Sequence, residues 1–192
     1  LLEPWQREIV RIVRKVAQYF YPQRQTQVMN EGWATFWHHR LLNQMYDDGY
    51  LADGMMIEWL SSHTNVVMQR PMQQLNPYAL GFAMYTDIKR ICEAPTPEDR
   101  EWFPDLAGAP WLPTLHHAMR NFKDESFVNQ YLSPKLMRDF RLFSILDDEA
   151  EKEYLISAIH YPDGYRHVRQ VLSANYDLGT REPNIQVWNV NL

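Results

Sequence analysis

The 192-residue chain is long enough to bury a real core as one domain, or as a helical body carrying a small appendage, and two full domains would be tight. With 45% apolar, 14% aromatic and 22% charged residues it is far from the balance of disordered chains, and a formal charge of −5 gives no general attraction to nucleic acid or anionic lipid. The single cysteine, Cys92, excludes an internal disulfide framework, and no run approaches the roughly 18 apolar residues of a membrane span.

A buried-type lone cysteine fits a reducing compartment, so the cytoplasm is the expected location. The chain opens on Leu1-Leu2-Glu3-Pro4-Trp5 without a methionine and stops at Asn191-Leu192 inside a strand-like alternation. Both ends read as cut.

In chain order, Trp5, Ile9, Ile12, Val13, Val16 and Phe20 recur at helical spacing, with Arg7, Arg11, Arg14 and Lys15 as a basic solvated face opposite. Tyr21-Pro22 is expected to end this helix. A second helical pattern runs from about Gln25 to Asp48, and Asp53 reads as the N-cap of a third that reaches about Gln69 before Arg70-Pro71. Asn76-Pro77, a cap acceptor followed by proline at the first helical position, opens a fourth that reaches about Ala94. The proline-rich middle, 95 to 133, reads as short helical turns near Glu98 to Phe103, Leu115 to Phe122 and Glu125 to Tyr131.

After Ser133-Pro134 the period changes. Phe140 to Leu146 and Glu153 to Tyr161 read as extended runs that pair in a hairpin, Asp163-Gly164 opens a helix to Tyr176, and Ile185 to Val190 alternates again. The expected fold class is therefore α+β: a mainly helical body over 1–133 followed by a small ββαβ module over 134–192.

The most unusual stretch is Met29-Asn30-Glu31-Gly32-Trp33-Ala34-Thr35-Phe36-Trp37-His38-His39-Arg40, deep in the second helix. At about 100° per residue, Gln27, Glu31, Thr35 and His38 share one stripe, with Trp33 and Trp37 on another side. Aromatics on several faces imply a buried helix, and a carboxylate and an imidazole in a buried stripe must pair, bind a metal or bind a ligand. Two readings stand: Glu31 and His38 form a hydrogen-bonded core pair, or they are catalytic and, with His63 on the third helix, metal-ligating residues, zinc being the implied ion. Gly32, costly inside a helix, implies close approach of another backbone or a ligand. There is no phosphate loop, no dinucleotide fingerprint, no nucleophile elbow and no His-Glu-x-x-His word.

Glu3-Pro4-Trp5-Gln6-Arg7, Tyr19-Phe20-Tyr21-Pro22-Gln23, Met29 to His38, Asn76-Pro77-Tyr78-Ala79-Leu80-Gly81-Phe82 and Glu182-Pro183-Asn184-Ile185-Gln186-Val187 together resemble the SpoVR family (stage V sporulation protein R-like) across nearly the whole chain. The resemblance implies a bacterial protein of unsettled biochemistry, linked to spore cortex formation or stress response. It further implies a PrkA-type serine/threonine kinase and a von Willebrand A-like protein as partners. Within the family Glu31, Trp33, His38, His63, Asn76 and Tyr78 fall in the defining blocks. Members also carry an upstream His- and Asp-rich region with a His-x-x-x-His-like word that this chain lacks. Glu-Gly-Trp-Ala is similar to a four-residue segment of some zinc peptidases in which the glutamate is a metal ligand. The expected function is thus a SpoVR-like factor in a multi-protein system, with a zincin-like metal-dependent hydrolase and a non-enzymatic interaction scaffold as alternatives, and whether the chain is an enzyme stays open.

Overall fold

The computed structural model describes residues 2–70, 74–142, 145–146, 155–156 and 162–178. Among them the helices are α1 (Pro4–Arg24), α2 (Gln27–Asp47), α3 (Asp53–Val67), α4 (Pro77–Glu93), α5 (Pro97–Trp102), α6 (Trp111–Asn121), α7 (Asp124–Tyr131), α8 (Pro134–Asp139) and α9 (Pro162–Tyr176).

α2 and α4 form the central pair, because their glycines let the backbones meet. A Cβ built on Gly32 would lie 2.8 Å from the Gly81 carbonyl oxygen, and one built on Gly81 would lie 2.7 Å from the Gly32 Cα and overlap the Val28 carbonyl oxygen. Around this crossing Met29, Phe36, Leu80, Met84, Tyr85 and Ile88 are buried, and the core continues through Leu115 on α6, Phe127 and Val128 on α7, Met137 on α8 and Tyr165 on α9. Large fully buried side chains of this kind each contribute about 1.5–3 kcal/mol of transfer free energy.

Caps fix the helix entries. Asn76 accepts from the Tyr78 amide (3.0 Å), as its sequence signal required, and its side-chain amide also donates to the carbonyls of Val66 (2.7 Å) and Met68 (3.2 Å). One residue therefore starts α4 and closes α3. The entry to α2 is held from far along the chain: the buried Asp124 carboxylate accepts from the amides of Val28 and Met29, both at 2.9 Å, and its own amide donates to the Gln25 carbonyl. Asp53 does not cap α3 but is its first residue, after Ala52, and accepts from the Tyr46 hydroxyl at 3.0 Å.

The α+β expectation is overturned. Residues Pro134–Asp139 are helical, not the lead-in to a strand, because Ser133 caps the Leu136 amide (3.1 Å) and Pro134 occupies the first turn. Phe140 is the α-region C-cap, and Arg141 at φ 52° gives the left-handed stop. The Leu142 amide reaches the Met137 carbonyl at 2.9 Å and the Arg141 amide the Arg138 carbonyl at 3.0 Å, a Schellman closure. Leu142 turns toward the core for that reason, not through strand alternation. Extended pairing among the described residues amounts to Ile145 opposite Ile156 and Leu146 opposite Leu155, antiparallel, too little for a sheet layer. The expected strand at Ile185 to Val190 lies outside the described residues. Among the described residues the architecture is helical, with that one short antiparallel pair beside it.

α1 also departs from expectation. It runs through Pro22 to Arg24, since a proline this near the end forfeits one bond, and the last turn closes through the Gln25 and Thr26 amides on the Pro22 and Gln23 carbonyls. None of its 21 residues is buried; Trp5 is 63% and Val13 61% exposed.

Candidate functional site

The Met29–Arg40 stretch presents two faces. On one, Trp33, Phe36 and Trp37 pack with Tyr85 and Trp111, and Arg40 and Lys89 lie over the Trp111 ring. That face is core. On the other lie the polar residues singled out by the sequence, brought against α3 and α4 by the glycine crossing.

Glu31 is half-buried beside Tyr78, and its carboxylate, then burial, pushes the Tyr78 phenol above its usual range. Thr35 is buried and spends its hydroxyl on the Glu31 carbonyl oxygen (2.6 Å). Glu31 also borders an open cavity of about 540 Å³ at the α1–α2 junction, lined by Phe20, Gln23, Arg24, Gln27 and Asn30.

His38 is exposed, its ring 6.0 Å from that of Trp59. The residue that meets His63 is His39, with ring centroids 4.9 Å apart; both rings touch Phe82 and Trp59. Burial lowers the His39 imidazole below its ordinary range, and burial followed by the proximity of His39 and His38 does the same to His63. Both rings are therefore held neutral, the form that ligates metals or accepts hydrogen bonds. The Trp59 indole N–H beside them is buried with no partner.

Among the described residues no group of three or more His, Cys, Asp or Glu side chains is placed to hold a metal ion. Glu31 keeps company with Tyr78, while His63 keeps company with His39, so no step of chemistry is routed through a metal on the set Glu31, His38 and His63. His39 was missed because the helical stripe selects His38; the signal that finds it is Trp59 and His63, one turn apart on α3, which require an aromatic partner on the facing helix.

The SpoVR like protein family model matches residues 1–181, a span that includes Glu31 to His38 and Asn76 to Phe82. The chain belongs to the SpoVR family. It is 64% identical over 197 residues to the uncharacterized protein YcgB of Escherichia coli (strain K12), across the whole of this chain and 39% of that relative. This SpoVR-family chain thus spans well under half the length of the curated relative it matches. No solved structure matches it. No helix among the described residues is long and apolar enough to cross a membrane.

Proposed function

We propose that this SpoVR-family chain is a docking core acting in the cytoplasm, within a multi-protein sporulation or stress-response system, and that it binds a PrkA-type serine/threonine kinase through α1. The observation that supports this is α1 itself: Ile9, Val13, Val16 and Phe20 form one apolar stripe along a helix with no buried residue. An apolar helical face of this length calls for a partner groove. Its opposite face carries Arg7, Arg14 and Lys15, with Arg11 paired to Glu8, which suits an acidic rim.

The test is size-exclusion chromatography of the protein with purified kinase and, separately, with the von Willebrand A-like protein. Co-elution with the kinase that disappears in an Ile9→Glu, Val13→Glu, Val16→Glu variant supports the reading. Kinase binding unaffected by the triple change, or absent from the parent protein, removes it, and the second outcome assigns the stripe to covering by other parts of the same polypeptide.

A second reading, a zinc-dependent hydrolase, draws support from the His39–His63 pair, whose lowered pKa values leave imidazole nitrogens able to ligate, although Glu31 and His38 stand outside that contact. Calorimetric zinc titration of the protein, with Glu31→Gln and His63→Ala alongside, tests it; no zinc affinity, or affinity indifferent to both changes, rejects it.

A further inference from the structure

Where α5, α7 and α9 meet, an open groove of about 300 Å³ is lined by Glu101, Trp102, Asn129, Arg166, Arg169 and Gln170. The guanidinium carbons of Arg166 and Arg169 each lie 5.1 Å from the Trp102 ring centre, and Arg169 also lies 5.5 Å from that of Phe103. Arg166 is paired with Asp163 at 2.9 Å. Among the described residues Arg169 has no ion-pair partner, and its Nε and Nη2 lie against the rings, out of contact with water and without a hydrogen-bond partner. Arg166, close enough to depress the Arg169 pKa, is a like charge.

A desolvated guanidinium without a counter-ion is costly, and protein interiors answer such charges with carboxylates or phosphates. Burial, then the Arg166 charge, lowers the Arg169 guanidinium to about 10. It stays protonated at neutral pH, so the groove lining carries two guanidiniums, of which Arg166 is already answered by Asp163, beside the Glu101 carboxylate, with the side-chain amides of Asn129 and Gln170 as further donors. Ring stacking holds both guanidinium planes in place before any ligand arrives, which limits the entropy lost on binding.

We infer that this groove is a binding site for a tetrahedral phosphate-class oxyanion, free phosphate or a phosphomonoester, with Arg169 and Arg166 supplying the charge and Asn129 and Gln170 supplying neutral donors. The site is distinct from the α1 stripe and from the histidine cluster, and it stands or falls independently of both.

The experiment is calorimetric titration of the protein at fixed ionic strength with inorganic phosphate and with phenyl phosphate, acetate and chloride serving as controls. Arg169→Met is the main variant, since it keeps the bulk against Trp102 and removes the charge; Arg166→Gln takes its place should the first fail to fold by circular dichroism. Binding of either phosphate probe, absent for acetate and chloride and weakened at least about tenfold in the variant, supports the site. Preference for phenyl phosphate over inorganic phosphate assigns an ester as the ligand, and the reverse assigns free phosphate. Arg169→Met should also melt higher than the parent in phosphate-free buffer, because it removes an uncompensated buried charge. Absence of phosphate binding, equal response to chloride, or binding indifferent to the variant overturns the proposal.

Discussion

Gly32 and Gly81 stand face to face where α2 crosses α4, so close that a methyl group on either would meet the other helix's backbone. Backbone cannot swing aside as a side chain can. Gly32→Ala and Gly81→Ala should each destabilise by about 1–3 kcal/mol through overpacking, and Gly81→Leu by more. Thermal melts followed by circular dichroism check this. Tolerance of Gly81→Leu with an unchanged midpoint would mean that the helices do not cross here. The same crossing positions Tyr78 and Phe82 against α2, so loss of contact should weaken whatever the polar face binds.

Asn76 serves two helices, and two substitutions separate its roles. Asn76→Ala removes the α4 cap, worth about 1 kcal/mol, together with the donors to the α3 carbonyls, so the total should exceed an ordinary cap loss. Asn76→Asp keeps the acceptor for the Tyr78 amide and loses the donors. It should recover part of the stability, not all, in urea unfolding. Equal losses in the two variants would show that the cap alone contributes nothing.

The two halves of the fold differ in how openly the sequence states them. Up to Tyr131 the elements follow from apolar periodicity and cap chemistry, with boundaries moved by a few residues, because helices of this length carry their own signal. Gly32 was legible as a site of close approach, since glycine inside a helix needs a packing reason, and Gly81 is the backbone it meets. After Ser133 the alternation of Phe140, Leu142 and Leu146 competes with a helix-start signal of the same kind as Asn76-Pro77, and the start signal prevails. Ser133-Pro134 opens a helix, and the left-handed Arg141 imitates the reversal that alternation suggests. Partners distant in sequence were not legible: Asp124 capping α2, and His39 in place of His38 against His63, depend on which helices become neighbours.

The neutral histidines tie stability to pH. Their imidazoles have folded pKa values below the ordinary 6.5, so the unfolded chain binds more protons near that pH. The contribution is fully present above about 6.5 and is lost as pH falls through the lowered folded values. A His39→Phe, His63→Phe variant should therefore lose less stability than the parent between pH 7 and 5. Urea midpoints across that range test it, and parallel curves for the two proteins would show that the pair is already solvated.

Asp124 acts in the opposite sense, which makes the two effects separable. Its carboxylate is buried; burial raises its pKa to about 6 although the amides of Val28, Met29 and Gln27 pull the other way. A raised folded pKa means that the folded state holds its proton after the unfolded chain has released one, so this group favours folding at acid pH. That advantage is lost as pH climbs from about 4 to 6. Asp124→Asn cannot ionise and should abolish this slope, leaving the histidine slope alone and hence a steeper net gain of stability with rising pH than the parent shows. Asparagine offers one acceptor where the carboxylate offers two, so the α2 entry loses an amide contact, and stability at low pH should fall by about 1–2 kcal/mol. Asp124→Ala strands both amides and should cost about 1–3 kcal/mol or more. Urea unfolding of the variants and the parent at intervals from pH 4 to 7 measures both quantities at once. A parent-minus-Asn difference that grows with pH across that window would reverse the sign and show that the helix N-terminal amides, not burial, govern the Asp124 charge.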